Sequence, residues 1–374
     1  MRVLFWSGTF WPNIGGVEVL ASRILPALRE RGYEFIVVAS KTHAELRDED
    51  QYRGIKIYRF PFHVDDPHRS IDHLVEVRQK VAALKREFTP RLVHVNIVGL
   101  DNLFHLTTAN AHQAPTLVTL HGRWMSQTDS IVGNMLRAAD WVAGCSAAIL
   151  NDGKKLVPEI TPRSSIIYNG VEAPSLPPAA LSFNIPRLLC LGRLHREKGM
   201  DVALAAFATI ARRFPRARLI LAGDGPARTG LEQQARDLHI SHAVEFVGWV
   251  APDQVPALIN NCTMLLMPSR DDSLPLVALE AAWMARPVVA ARVGGLPEVV
   301  VHEQTGLLFE SENVGGLAES ISFLLENPQA ALQMGQAARD RVQTVFSWEQ
   351  HVNAYDALYQ KLINRQGPPV MRSA

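Results

Sequence analysis

The chain has 374 residues, 47 % of them hydrophobic and 20 % charged, and a net charge of +1. That length predicts two domains, each large enough to bury a core of its own. Basic and acidic residues balance in both halves, which excludes the broad positive field that holds nucleic acid through its phosphates. No nucleic-acid partner is expected.

The three cysteines, Cys145, Cys190 and Cys262, are far apart and odd in number. They form no CxxC pair and no His/Cys cluster, so neither a disulfide framework nor a zinc site is indicated, and no metal ligands are assigned. The first residues, MRVLFWSGTFWP, read as a strand rather than as a secretory leader. No stretch approaches ~18 consecutive apolar residues, so no membrane span is predicted and the cytoplasm is the expected location.

Along the chain, short apolar runs alternate with helical spacing. Val3–Ser7 predicts a buried strand. Val17, Leu20, Ala21, Ile24, Leu25 and Leu28 then recur with helical period, and Gly32 supplies a stop. Phe35–Ala39, Ile55–Phe60, Leu92–Val95 and Thr116–Leu120 are further strands, and 71–88 is an amphipathic helix rich in Lys and Arg. Such alternation implies a parallel sheet covered on both faces. At 172–187 the pattern gives way to EAPSLPPAALSFNIPR, a Pro- and Ser-rich stretch that reads as a linker. A second series follows. Its strands are Arg187–Leu191, Ala217–Ala222, Val244–Phe246, Met264–Met267 and Pro287–Ala290. Its helices are near 200–213, 227–239, 254–260, 275–285, 315–326 and 328–345. A last helix, about 348–364, places Trp348, Val352, Tyr355, Leu358, Tyr359 and Leu362 on one side, and a loose tail is expected after it. The expected fold class is α/β, with two doubly wound domains. Ligands of such sheets bind beyond the carboxyl ends of the strands.

Four segments stand at those ends. In PSRDDSLPLVALEAAWMARPVV, Asp272 follows a strand and Glu280 lies inside the next helix, about two turns beyond Asp272. Ser273 and Pro275 suit the helix start, with Pro at a first helical position. The free amides near Leu274, Leu276 and Val277 suit an anion. Asp272 serves equally as a helix cap, and Glu280 as a solvated helix acid. In LGRLHREKG, Arg193 and Lys198 stand between a strand and a helix, where two cations can neutralise a diphosphate or simply face water. In FWPNIGGVE, Gly15 and Gly16 precede a helix and allow close backbone approach, although a plain turn needs them as well. The pattern is not GxGxxG, and the second strand lacks the acid that a dinucleotide fold places on a ribose. In TLHGRW, His121 follows a buried strand and can serve a sugar hydroxyl or the packing. Arg123 and Trp124 have the same two readings.

Taken together, PNIGGVE, TLHG, YNGVE, LGRLHREKG, AGDGP, FVGWV, DSLPLVALEA, GGLPEVV and TGLLF resemble glycosyltransferase family 4, the retaining transferases of the GT-B fold (glycosyl transferases group 1), in order and spacing over nearly the whole chain. The resemblance implies two facing Rossmann-like domains with a cleft between them and a C-terminal crossover helix. Residues 1–178 would form the acceptor-binding domain, completed by about 348–374, and residues 179–347 the donor-binding domain. It further implies an enzyme that moves a sugar from a nucleoside diphosphate sugar to a hydroxyl acceptor, which is a glycan, a lipid-linked or a small molecule. No cofactor and no metal are expected. Glu280 would hold the donor ribose, Asp272 the sugar hydroxyls, and Arg193 and Lys198 the diphosphate. Gly15 and Gly16 would close over the phosphates, His121 would support the sugar, and Val250 would border the base. Leu274, Leu276 and Val277 complete the donor set.

The family carries Glu at both ends of its E-x7-E motif, and here the first position is Asp272. The shorter acid bears on donor choice. Adjacent acids Asp65–Asp66 and Asp271–Asp272 are not a DxD metal pair. Acceptor loops are expected at 61–70, 97–104 and 123–134. Arg78, Lys80, Lys85, Arg86 and Arg91 offer either a solvated face or peripheral contact with an anionic membrane surface. Two rivals remain: a non-catalytic nucleotide-sugar binder, and an epimerase or phosphorylase on the same fold.

Overall fold

A computed structural model describes residues 1–13, 15–62, 71–124 and 129–364. The expected tail, Asp65–Asp66 and parts of the 61–70 and 123–134 loops fall outside the described residues. The chain divides into two compact units. The first holds Met1–Tyr168 and the chain from His351 on, and the second holds Asn169–Gln350.

The first unit runs β1 (Arg2–Trp6), α1 (Gly16–Glu30), β2 (Glu34–Ser40), β3 (Glu49–Tyr52), β4 (Ile55–Phe60), α2 (Ile71–Phe88), β5 (Leu92–Val95), α3 (Asn102–Thr107), β6 (Thr116–Leu120), α4 (Asp129–Ala138), β7 (Trp141–Gly144), α5 (Ala147–Leu156) and β8 (Ser164–Ile166). Its sheet has the order β3-β4-β2-β1-β5-β6-β7-β8. All neighbours are parallel except β3 and β4, which pair antiparallel. Only this edge departs from the parallel sheet expected from the sequence. A four-residue polar strand, EDQY, can sit there because an edge needs no second buried face. By contrast, β1, β5, β6 and β7 are buried almost throughout, which explains their apolar runs.

The second unit runs β9 (Arg187–Leu191), α6 (Met200–Ile210), β10 (Arg218–Ala222), α7 (Arg228–Asp237), β11 (Val244–Gly248), α8 (Val255–Asn260), β12 (Met264–Met267), α9 (Leu276–Trp283), β13 (Val288–Ala291), α10 (Leu296–Val299), β14 (Gly306–Phe309), α11 (Val314–Glu326) and α12 (Pro328–Val345). Its sheet is parallel throughout, in the order β11-β10-β9-β12-β13-β14. Leu188, Cys190, Leu219, Leu221, Met264 and Leu266 line one core with Phe207 and Leu317 from the covering helices.

The Pro- and Ser-rich 172–187 stretch is counted with the second unit, and hydrogen bonds tie it there. The Ala179 amide donates to Asn260 Oδ1 at 2.8 Å, and buried Arg286 donates to the Ala179 carbonyl at 2.6 Å. The last helix, α13 (Trp348–Asn364), joins the first unit from His351 on. It docks through a buried polar network in which His94 meets Tyr359 Oη at 2.6 Å and Thr119 Oγ1 at 2.8 Å, and Thr119 meets Tyr355 Oη at 3.2 Å. Among the described residues, no helix is long and apolar enough to cross a membrane.

Candidate functional site

Strand order locates the site in each unit. In the second unit, the chain builds outward from β9 in one direction through β10 and β11. It then returns to lay β12 on the other side of β9. This reversal leaves a crevice beyond the carboxyl ends of β9 and β12. Arg193 and Lys198 lie in the loop after β9, and Asp272 lies in the loop after β12. The fold therefore brings together residues that are far apart in sequence.

Lys198 Nζ donates to Asp272 Oδ2 at 2.7 Å, and Ser269 Oγ donates to the same oxygen at 3.0 Å. The Asp272 side chain is only 8 % exposed and Lys198 is 30 % exposed, so the pair is shielded on the acid's side. The sequence assigned the two residues to different parts of a donor, and in the ligand-free chain they partner each other. Arg193 is exposed and has no side-chain partner among the described residues.

Backbone packing holds the two loops in register. Gly199 adopts φ +64, and a Cβ there would lie 1.8 Å from the Pro268 carbonyl oxygen. Gly294 adopts φ +51, and a Cβ there would lie 1.9 Å from the Asp272 carbonyl oxygen. Only glycine fits either place. The Gly295 amide donates to Asp272 O at 2.9 Å, so the GGLPEVV segment supports the acid's backbone.

The sequence reading missed Arg270. Its guanidinium grips Asp201 with both nitrogens, at 2.9 and 2.7 Å, and donates to Arg196 O at 2.7 Å and to Glu312 Oε1 at 2.8 Å. Its own amide donates to Glu197 O at 2.7 Å. Arg270 thus clamps the loop carrying Lys198 to the loop carrying Asp272. The clamp holds the Asp201 carboxyl below its usual range and raises the guanidinium further.

Pro275 caps α9 from an extended conformation, and Leu276 is the first helical residue. This corrects the expected first helical position of Pro275. Pro275 has no N–H to lose and contributes its carbonyl, which accepts from Ala278 at 3.2 Å. No side chain caps this helix start, so neither Ser273 nor Asp272 acts as its cap. Leu276 and Val277 are half-buried there. Leu274 is 3 % exposed, and its carbonyl accepts from Asn169 Nδ2 at 3.0 Å. Asn169, from the YNGVE motif, thus holds the turn before α9. Glu280 is half-buried within α9. Val250 is half-buried just beyond β11, beside Trp249, which is 62 % exposed.

In the first unit the reversal lies between β1 and β5. Gly15 caps α1, and Gly16 begins it. The Glu18 carboxylate lies over Gly15 and accepts from Thr9 Oγ1. The helix start that was expected to meet a phosphate therefore carries an acid of the chain itself. His121 follows β6, and its Nε2 meets Asn96 Oδ1, after β5, at 2.9 Å, while Nδ1 has no hydrogen-bond partner. Burial, with His351 adding to it, pushes the imidazole down to about 3, so the ring is neutral at physiological pH. Arg123 pairs with Asp152 at 3.0 Å. Lys85 does not join the basic face of α2. It is buried, donates to His105 O at 3.0 Å, and burial pushes its amine down to about 7. Among the described residues, no three His, Cys, Asp or Glu side chains converge as a metal site needs.

The two parallel-sheet units define the class first. Sucrose-phosphate synthase from Thermosynechococcus elongatus superposes with a TM-score of 0.82 over 96 % of this chain and 98 % of its own, at 23 % identity. Anabaena HepE in complex with UDP superposes with a TM-score of 0.81 over 97 % of this chain and 100 % of its own, at 21 % identity. The fold is the GT-B fold of glycosyltransferases. The family follows from the sequence. The Glycosyltransferase Family 4 model matches residues 14–173, and the Glycosyl transferases group 1 model matches residues 183–341. A curated relative, glycogen synthase of Mycobacterium tuberculosis, is 28 % identical over 96 % of this chain and 94 % of its own. The chain belongs to glycosyltransferase family 4 and is a glycosyltransferase.

Proposed function

We propose that this enzyme transfers a glycosyl unit from a nucleoside diphosphate sugar to a hydroxyl acceptor, with retained anomeric configuration and without a metal ion. The observation that carries the reading is the convergence of Arg193, Lys198 and Asp272 at the β9/β12 reversal, beside an uncapped helix that bears Glu280. As the glycosidic bond breaks, negative charge grows on the diphosphate. Exposed Arg193, Lys198 and the first amides of α9 are arranged to meet it, and they stabilise the transition state more than the ground state. These cations do the work that a metal ion does in other phosphate chemistry. Asp272 accepts sugar hydroxyls, Glu280 accepts from the ribose, and Val250 borders the base. The acceptor loses its proton to the departing phosphate on the same face of the sugar.

Gly15, Gly16 and His121 belong to the first unit, and their part in the reaction rests on the motif match. With an imidazole pushed down to about 3, His121 acts as a neutral hydrogen-bonding group and not as an acid. HepE was solved in complex with UDP, which supports a nucleotide donor here. The acceptor is a glycan, a lipid-linked or a small hydroxyl compound. The test is a product assay in excess EDTA, with the anomeric linkage read by proton NMR. An α-linked product from an α-linked donor supports the reading. Inversion, or strict dependence on Mg²⁺ or Mn²⁺, contradicts it.

A further inference from the structure

Two side-chain pairs link β5 to β6 on one face of the first unit's sheet. The strands are parallel, with His94 opposite Leu117 and Val95 opposite Val118. His94 and Asn96 alternate onto the same face, as do Thr119 and His121. His94 Nε2 meets Thr119 Oγ1 at 2.8 Å, and one step further along His121 Nε2 meets Asn96 Oδ1 at 2.9 Å. The first pair is complete. His94 Nδ1 also meets Tyr359 Oη at 2.6 Å, and Thr119 Oγ1 meets Tyr355 Oη at 3.2 Å, so both partners are tied to α13. The second pair is not complete. Asn96 Nδ2 and His121 Nδ1 are buried and have no hydrogen-bond partner among the described residues. A pair that served packing alone would lose stability at both atoms, and buried polar atoms are normally satisfied. The difference falls at the carboxyl ends of the strands, where a doubly wound sheet meets its ligand.

The chemistry of the second pair fixes where its proton sits. A carboxamide oxygen only accepts, so the hydrogen of this bond belongs to His121 Nε2. Burial keeps the ring neutral, and a neutral imidazole carries a single N–H. Nδ1 is therefore the bare nitrogen, with a lone pair and no proton. Asn96 is itself a fixed support. It is 5 % exposed, and its backbone amide donates to Trp6 O at 2.7 Å on the neighbouring strand β1.

We propose that Asn96 is a positioning residue for the transfer: its Oδ1 holds His121 in the Nε2–H tautomer, so that Nδ1 accepts from a sugar hydroxyl and the ring donates nothing to the substrate. The inference rests on the reading of His121 as a substrate-facing group, and its test separates the two. Nitrogen-15 NMR of the full chain, labelled at histidine, reads the tautomer without any turnover. The His121 signals are those lost in His121→Ala. Rates of consumption of UDP-glucose, GDP-mannose and ADP-glucose read the consequence. In the wild type the proton should sit on Nε2. Asn96→Ala should admit the Nδ1–H form and lower kcat about tenfold, the value of one orienting hydrogen bond, with the affinity for the matching nucleoside diphosphate unchanged. Asn96→Asp keeps an acceptor in place. It should retain the Nε2–H form and recover most of kcat at pH 8, where the ring stays neutral beside a carboxylate. Thermal melts establish that each variant is folded. A purely structural Asn96 would lower the melting temperature and leave tautomer and kcat alone. The proposal is overturned if the wild-type proton sits on Nδ1, or if Asn96→Ala changes neither tautomer nor kcat. A slow His121→Ala beside an unimpaired Asn96→Ala overturns it and leaves the reading of His121 standing. Full turnover in His121→Ala overturns that reading, and the proposal with it.

Discussion

Lys198 Nζ lies 2.7 Å from Asp272 Oδ2, across 74 residues of sequence, and joins the loops that follow β9 and β12 at the strand reversal of the second unit. The amine, 30 % exposed, pairs with an acid whose side chain is only 8 % exposed, so it is already held beside the proposed donor site. Replacing it has two consequences. Lys198→Ala should lower kcat/KM at least about tenfold, from a charge-assisted bond worth roughly 1.5–3 kcal/mol. It should also lower stability by about 1–3 kcal/mol, because Asp272 then loses its countercharge. Adding Asp272→Asn should restore much of the stability and none of the activity. Urea denaturation alongside donor kinetics for the double-mutant cycle checks both parts. Additive stability losses would show that the pair is not coupled.

Arg270 should behave as a positioning residue. Arg270→Ala removes the clamp through Arg196 O and Asp201 that holds the Lys198 loop to the Asp272 loop, so kcat/KM should fall several-fold in a protein that remains folded. Arg270→Lys should not rescue it, since an ammonium cannot grip both Asp201 oxygens. Full rescue by Lys would reduce Arg270 to a simple charge. The Asp201 carboxyl is held below its ordinary 3.8 by this clamp. The stability it contributes is therefore complete above about pH 4 and is lost only as pH falls below that value.

The buried histidines set a different pH window. His121 is pushed down to about 3 and His351 to about 4, and His94 and His105 lie well below 6.5, all by burial. The unfolded chain binds protons at these groups from about pH 6.5 downward, and the folded chain does not. Stability should therefore be full above pH 6.5 and fall as the solution is acidified towards pH 5, by about 1–2 kcal/mol for each such imidazole. Calorimetric melts at pH 7 and pH 5 read this. His121→Asn should flatten the dependence. A melting temperature equal at both pH values would mean that these rings are protonated in the folded protein.

Gly199→Ala and Gly294→Ala should both impair the site. Each forces a Cβ to within 1.9 Å or less of a carbonyl oxygen at positive φ, one on Pro268 and one on Asp272. Donor affinity should drop in both, and stability should drop by about 2 kcal/mol or more. Melting curves and nucleotide titration give the two numbers. Unchanged affinity in Gly294→Ala would mean that the Asp272 backbone tolerates displacement.

Much of this was legible in the sequence, and for physical reasons. Helix α12 begins where the sequence places it because Pro328 suits a first helical turn and an apolar period follows it. Strands β7 and β14 escape the sequence reading, although β5 and β12, equally short, do not; both carry a Gly at one end, which reads as turn chemistry. Polar β3 was missed because an edge strand needs no alternation of buried residues. The chain division lies at Tyr168 because the Pro-rich stretch after it is hydrogen-bonded to Asn260 and Arg286, which composition cannot reveal. The motif residues were recognisable singly. The Lys198–Asp272 pair was not, since it depends on β12 lying next to β9. Arg270 was invisible as one charged loop residue among many.

The most direct test is a calorimetric titration of wild type, Glu280→Ala and Arg193→Ala with UDP, GDP and ADP sugars in excess EDTA. One nucleotide sugar should bind the wild type, and both variants should bind it at least about tenfold more weakly. That result would identify the donor base by which nucleotide binds, and place the donor's ribose and diphosphate between α9 and the loop after β9. If no sugar nucleotide binds without metal, or if binding is indifferent to both substitutions, the donor site described here is contradicted.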